Sequence, residues 1–387
     1  MDTYKTAAST GFDVLVNQYK TPNIFDGNFW FAGNTLRTCL SYLIVTQQTD
    51  TQGILTAAYQ IYLDLFRNPG WWRDDYGWWG NAFIIAINNR QRLGYQGSSY
   101  DGLFQNLLDA AQFCWEQLAN NWSEKLYNSQ GIDNAADSAD IEGGVFNTDS
   151  NASVMSGRNS VTNEGFWILS QGLAQLTGDP KYAEKASAES NWFQQWLALP
   201  NKQPGKIGIL NQQGLVLERP MGNKTDNAFY WSGDQGLFIR AIRAQPIAGS
   251  NAIEIANSVV TNMTDEDKIL HEYIGFLQYP ELDQFIADYA TGKGIFMRNL
   301  SELNQEFGQF TDFIKRNATA VWCNKLPGNQ FTFNWNPPVP NQEPTILRVD
   351  GKSNELCDLI MQTAGQDALN AAVLIAPDEA ITCPPPR

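Results

Sequence analysis

With 387 residues, 43% of them hydrophobic and 12% aromatic, the chain can bury a large core as one big domain or two ordinary ones, and disorder is not the expected class. A net charge of -15 argues against nucleic acid or an anionic membrane as a partner, because counterion release needs Lys and Arg. A single histidine, His271, leaves no means of building a His-rich metal centre and forces any Ser-His-Asp or Cys-His mechanism through one residue.

Only 17% of the chain is charged, so its surface is polar through Asn, Gln, Ser and Thr, which suits ligands held by hydrogen bonds and stacking. The five cysteines show no CxxC spacing. Cys39 and Cys114 fall in apolar helical patterns and read as buried thiols, while Cys323 and Cys357 are candidates for a disulfide in an oxidising compartment. No apolar run reaches the roughly 18 residues that a membrane span requires. "MDTYKTAAST" is not a signal peptide, which leaves a cytoplasmic chain or one that follows a removed leader. Asn-x-Ser/Thr sequons start at Asn121, Asn151, Asn223, Asn262, Asn299 and Asn317 and lend weak support to secretion.

In chain order, "AASTGFDVLVNQY" has helical spacing, and Pro22 and Gly27 break it. "NFWFAGNTLRTCLSYLIVTQQT" and "QGILTAAYQIYLDLFR" are the next two helices. Asn68, Pro69 and Gly70 end the latter, and the adjacent acids Asp74 and Asp75 open a fourth, "YGWWGNAFIIAINNRQRL". A fifth runs from about Leu103 to Leu118. Residues 119–159 are polar and without a period, as in a long functional or disordered loop. Asp137, Asp140, Glu142 and Asp149 lie in it without the spacing of a calcium loop. Helices resume with "SVTNEGFWILSQGLAQLTG" and "DPKYAEKASAESNWFQQWLAL", joined through Gly178, Asp179 and Pro180. "GILNQQGLVLERP" alternates like a small β-hairpin. "YWSGDQGLFIRAIRA", "SNAIEIANSVVTNM", "TDEDKILHEYIGF", "GKGIFMRNLSELNQ" and "FTDFIKRNATAVWCNK" read as helices. "QFTFNW" is extended, a last helix lies near Ser353 to Ile375, and "CPPPR" is a tail. About a dozen antiparallel helices without a domain linker or a fixed-period repeat predict an all-α closed ring rather than a solenoid.

The most informative stretch is "PGWWRDDYGWWGN", residues 69–81, in which Asp74 and Asp75 stand between Trp71-Trp72 and Trp78-Trp79. Paired carboxylates in an aromatic nest suit sugar cleavage, one attacking or stabilising the anomeric carbon and the other moving a proton to and from the glycosidic oxygen. The same residues also suit a plain helix N-terminus, where both charges favour the dipole and one caps the first turn. Local sequence leaves both open.

In their order, "FWFAGNTLRTCLSYLIVTQQTD", "DDYGWWGNAFI", "EGGVFNTDS", "NSVTNEGFWILSQGLAQLTGDPKYAEKA", "YWSGDQGLFIRAI", "GKGIFMRNLSEL", and "RNATAVWCNK" with "FTFNW" resemble glycoside hydrolase family 76, the α-1,6-mannanases and their fungal cell-wall relatives. The resemblance spans nearly the whole chain. It implies a single (α/α)6 barrel over residues 1–376 with a tail at 377–387, and endo-acting, retaining hydrolysis of α-1,6-mannosidic bonds without cofactor or metal. Asp74 matches the nucleophile and Asp75 the acid/base, whose proton the charge of Asp74 and the Trp walls should hold. Retention calls for carboxyls about 5 to 5.5 Å apart, within reach of neighbours on a turn. Sugar contacts are expected from Trp30, Trp78, Trp79, Asn163, Glu164, Asp234, Gln235, Lys293 and Trp335, with Trp322 as a further tryptophan for the cleft. Three departures stand out. Asp234 replaces the family's usual Asn, Gly292 replaces a Phe before Lys293, and no Trp follows the Gly-Gly. The expected partner is mannan or a derived oligosaccharide, with no nucleic acid and no membrane span. The expected state is a monomer, extracellular or associated with the cell wall. A transglycosidase acting on mannosyl glycans and a non-catalytic glycan-binding protein are the alternatives.

Overall fold

Thr3 begins the first helix by a reciprocal cap: its hydroxyl accepts from the Thr6 N–H at 3.3 Å while the Thr6 hydroxyl accepts from the Thr3 N–H at 2.8 Å. The computed structural model describes residues 2–21, 23–25, 28–66, 72–122, 143–148, 158–198, 209–218, 230–272, 286–336 and 354–385. Their helices are α1 (Tyr4–Tyr19), α2 (Phe29–Thr46), α3 (Ile54–Phe66), α4 (Asp74–Asn88), α5 (Asp101–Ala119), α6 (Ser160–Thr177), α7 (Pro180–Ala198), α8 (Ser232–Ala244), α9 (Ala252–Asn262), α10 (Ile286–Ala290), α11 (Gly292–Phe307), α12 (Thr311–Cys323) and α13 (Asn354–Ile375). Local chemistry fixes several ends. The Asp50 carboxylate accepts from the Ile54 and Leu55 N–H groups, each at 2.8 Å, and so starts α3. Gly178 ends α6 at φ 69°, as its position in the sequence predicts.

Six helices, α2, α4, α6, α8, α11 and α13, pack side by side in that order, and α13 closes the ring against α2. Outside them, α1 lies on α13 and α2, α3 on α2, α5 on α4, α7 on α6, α9 on α8 and α12 on α13. The protein is therefore an all-α (α/α)6 barrel. The inner helices run in one direction. Thr35 bonds Thr363 at 3.2 Å and, further along both helices, Thr38 bonds Asp367 at 3.0 Å, while Gly77 faces Gly165 and Gly80 faces Leu169. Parallel inner helices gather their N-termini, and their positive dipole ends, at one mouth.

Three expectations are corrected. "TDEDKILHE" is not a helix: Thr264 pairs with Leu270 across a tight turn in which the Asp265 carboxylate accepts from Asp267 and Ile269. Local side-chain bonding by Asp265 outcompetes the helical ladder there. Cys323 bridges Cys383, whereas Cys357 is a free, buried thiol on α13. The tail through 385 is accordingly fastened, with Lys5 and Tyr4 donating to Pro377 and Glu379 and Lys315 paired with Glu379 at 2.6 Å. The hairpin at 209–218 is reduced to a single bridge, Leu210 to Val216, organised by the Asn211 side chain. No sheet occurs among the described residues. No helix of the described residues is long and apolar enough to cross a membrane. Of the sequons, Asn299 and Asn317 are buried, so a glycan on either does not fit this fold. Trp71, Asn68 to Gly70, the acids from Asp137 to Glu142, Asp149, and the sequons at Asn151 and Asn223 lie outside the described residues.

Candidate active site

Asp74 and Asp75 are the first two residues of α4, one inner helix of the ring. The N-cap is Arg73, whose side chain makes no cap bond, so neither aspartate serves as the cap residue. Both instead lie in the first turn, where free backbone N–H groups favour negative charge. Asp75 is 6% exposed and Asp74 half-buried. The Arg73 N–H donates to the Asn147 carbonyl at 2.7 Å, which ties the loop at 143–148 to the start of α4.

Glu164 comes up beside this turn because α4 and α6 touch backbone to backbone: a Cβ on Gly77 would lie 3.4 Å from the Gly165 Cα. Asp234 is level with Glu164. Gln171 donates to the Ala241 carbonyl at 3.1 Å, fixing the register of α6 on α8, and the two acids precede these residues by the same distance along each helix. Both are 0% exposed. Burial, and after it the charge of Asp234, raise the Glu164 carboxyl well above the ordinary range. Neither Glu164 oxygen has a hydrogen-bond partner among the described residues. Trp78 packs on the half-buried Trp30 with ring centres 5.2 Å apart, an aromatic edge next to the pair.

Other predicted sugar contacts are assigned different work. The Asn163 amide clamps the Gly-Gly loop: its Oδ1 accepts from the Val145 N–H at 2.6 Å, and its Nδ2 donates to the Val145 and Asn159 carbonyls at 3.1 and 2.7 Å. Gln235 repeats the device on Val216, accepting from its N–H and donating to its carbonyl, both at 2.7 Å, and donating to Trp231 at 3.1 Å. An amide offers both a donor and an acceptor, so it satisfies a loop residue as a strand would. Trp79 is core, donating to the Phe29 carbonyl at 2.7 Å among Phe29, Tyr62 and Phe83. Trp322 sits on the outer layer and donates to Asp2 at 3.2 Å. Trp335 is buried, and the Lys293 ammonium occupies its ring face, 4.5 Å from that ring and 4.5 Å from Phe333. Lys293 also donates to the Phe333 carbonyl, so its charge is spent inside the wall.

Glu272 is the residue that sequence reading passed over. Buried, it accepts from the Ser232 N–H at 3.1 Å and from the Ser232 hydroxyl, and the Lys293 backbone N–H also donates to it. It thus caps α8 and α11 together. Burial raises the Glu272 carboxyl and lowers the Lys293 amine, and each charge partly offsets the effect on the other. This cap explains Gly292 in place of a larger residue, since a Cβ there would lie 2.6 Å from both Glu272 Oε1 and Ser232 Oγ. The pairing of His271 and Glu272 in a loop was the available signal, and the helical spacing of the apolar residues around it concealed it.

A second cluster lies roughly 8 to 14 Å deeper by helical rise. Arg298 joins Asp367 at 3.1 Å and Asn34 at 2.7 Å, and Thr38 donates to Asp367 at 3.0 Å. Glu302 meets Arg37 at 3.0 Å and Arg243 at 3.5 Å. Burial raises Asp367 to about 6 against the pull of Arg298 and Arg37. Burial acts on Glu302 in the same sense, but Arg37, Arg240, Arg243 and Arg298 together outweigh it and hold that carboxyl below its usual value.

A closed ring of helical hairpins with acids collected at the inner N-termini places the chain among the (α/α)6 barrels. More particularly, its fold is that of the family 76 α-1,6-mannanases. It superposes on an inactive variant of the α-1,6-mannanase of Salegentibacter sp. HEL1_6, two consecutive aspartates changed to asparagine, in complex with α-1,6-mannotriose. The identity is 17% and the TM-score 0.66, over 96% of this chain and 99% of that one. A family 76 mannosidase of Bacteroides thetaiotaomicron VPI-5482 is 13% identical with a TM-score of 0.62, over 96% and 98% of the two chains. Dfg5 from Chaetomium thermophilum, in complex with glucosamine, is 18% identical with a TM-score of 0.60, over 88% and 80%. No family model matches the sequence, and no curated protein matches it.

Proposed function

We propose that the chain belongs to family 76 and cleaves α-1,6-mannosidic linkages within mannan with retention of configuration. Asp74 attacks the anomeric carbon while Asp75 protonates the departing oxygen. Asp75 then takes a proton from the water that releases the mannosyl-enzyme. The N–H groups at the start of α4 favour the anionic form of the attacking carboxylate. Trp30 with Trp78 offers a stacking edge to a neighbouring sugar. The observation that carries this reading is the adjacent carboxylate pair at the barrel mouth, in the fold of an enzyme whose inactive form lacks two consecutive aspartates. The Cys323–Cys383 bridge supports an oxidising, extracellular or cell-wall setting, where the chain would act as a monomer.

Asp74→Asn and Asp75→Asn should each lower release of reducing ends from α-1,6-mannan on the order of 10³-fold, with melting temperature and circular dichroism retained. Full activity in either variant sinks the assignment. The resemblance of the sequence to the family's fungal cell-wall relatives suggests a second reading, transfer of the mannosyl group to a sugar acceptor. Products longer than a short donor would establish transfer, and only shorter ones hydrolysis.

A further inference from the structure

Glu164 is a buried acid that the two-carboxylate mechanism leaves without a task. It is fully buried, neither of its oxygens is bonded within the described residues, and across the α6–α8 seam it faces a second fully buried acid. Two carboxyls so placed repel if both are ionised, and one proton between them relieves the repulsion. The charged groups on the helices packed against α6 are Asp74 and Asp75 on α4, Asp101, Asp109 and Glu116 on α5, Lys181, Glu184, Lys185 and Glu189 on α7, and Asp234, Arg240 and Arg243 on α8, with Arg158 just before α6 itself. Asp234 is the group among these whose charge acts on Glu164.

We propose that Glu164 and Asp234 hold one proton between them and, as a mixed donor and acceptor, bind neighbouring hydroxyls of the sugar at the mouth, so that they determine sugar specificity. This rests on the glycosidase reading and adds to it. A protonated carboxyl donates one hydrogen bond while its ionised partner accepts, and a vicinal diol supplies the complement. When the pair loses its proton the donor is lost and repulsion returns. Binding above that titration must take up a proton, and affinity falls by up to tenfold per pH unit.

The test is calorimetric titration of a non-hydrolysable, sulfur-linked α-1,6-mannotriose from roughly pH 4.5 to 8.5, with proton uptake read from buffers of different ionisation heat. Wild type should weaken with rising pH and take up a proton on binding over the weakened range. Glu164→Gln, a donor at every pH, should hold the acid-range Kd throughout, and Asp234→Asn should move the break to lower pH. A wild-type Kd that is flat with pH, or a Glu164→Gln variant that follows the wild-type slope, overturns the pair alone. Glucosamine binding more tightly than mannose with proton release overturns it in favour of a cation site. No binding of the trisaccharide at any pH overturns the pair and the glycosidase reading together.

Discussion

The mouth and the floor of the barrel treat buried charge in opposite ways. On the floor each acid meets an arginine: the buried Asp367 has Arg298 at 3.1 Å, and the half-buried Glu302 has Arg37 at 3.0 Å. At the mouth Glu164 meets, among the described residues, another acid, Asp234, and has no hydrogen-bond partner there. A buried charge with its partner is compatible with structure alone, whereas acids held against one another raise the energy of the folded state and point to work done there. The sharpest break of this contrast is Arg298→Met. It removes the arginine bonded to Asp367, leaving Arg37 as its more distant counter-charge, and should cost about 3–5 kcal/mol in urea unfolding, while kcat per folded molecule on mannan changes far less. A loss of turnover without a loss of stability would move the floor into the site.

The mouth also contains groups that serve structure, and these set the next effect. Asn163→Ala removes the clamp on Val145 and leaves its buried N–H and carbonyl unmatched, at a cost of about 1–3 kcal/mol. Loosening of the loop at 143–148 should then raise KM more than it lowers kcat. A raised KM with unchanged stability would instead restore Asn163 as a sugar contact.

How much of this was legible depended on range. The helical periods, the αL end at Gly178 and the acid pair opening α4 are local, and the sequence displays them directly. Asn163 and Gln235 were found as residues but misread in role, because an amide that contacts a sugar and an amide that clamps a backbone are the same residue type at the same helix start. Trp79 was misread for the same reason, one face of the pair's aromatic nest being core. The floor was invisible: Arg37 and Glu302 are 265 positions apart, and Arg298 and Asn34 are 264 apart, so only the closed ring brings them together. Cys323 likewise found its partner across 60 positions in a tail whose prolines gave no sign of packing.

The smallest effect separates the two regions by sign. A carboxyl whose folded-state pKa is raised binds its proton more tightly in the folded protein than in the unfolded chain. Its contribution is complete below the unfolded value of about 4.3 and is lost as pH rises through the folded value. Glu164 is such a group, raised first by burial and then by Asp234. A glutamine at that position has no proton to lose. Glu164→Gln should therefore match wild type in thermal melts in the acid range and exceed it by a margin that grows as pH rises above the ordinary glutamate range. Removing Arg298 from the floor destabilises, whereas removing the ionisable Glu164 carboxyl from the mouth stabilises. If Glu164→Gln proves less stable than wild type at neutral pH, Glu164 is ionised and compensated there, and the contrast between mouth and floor fails at its central residue.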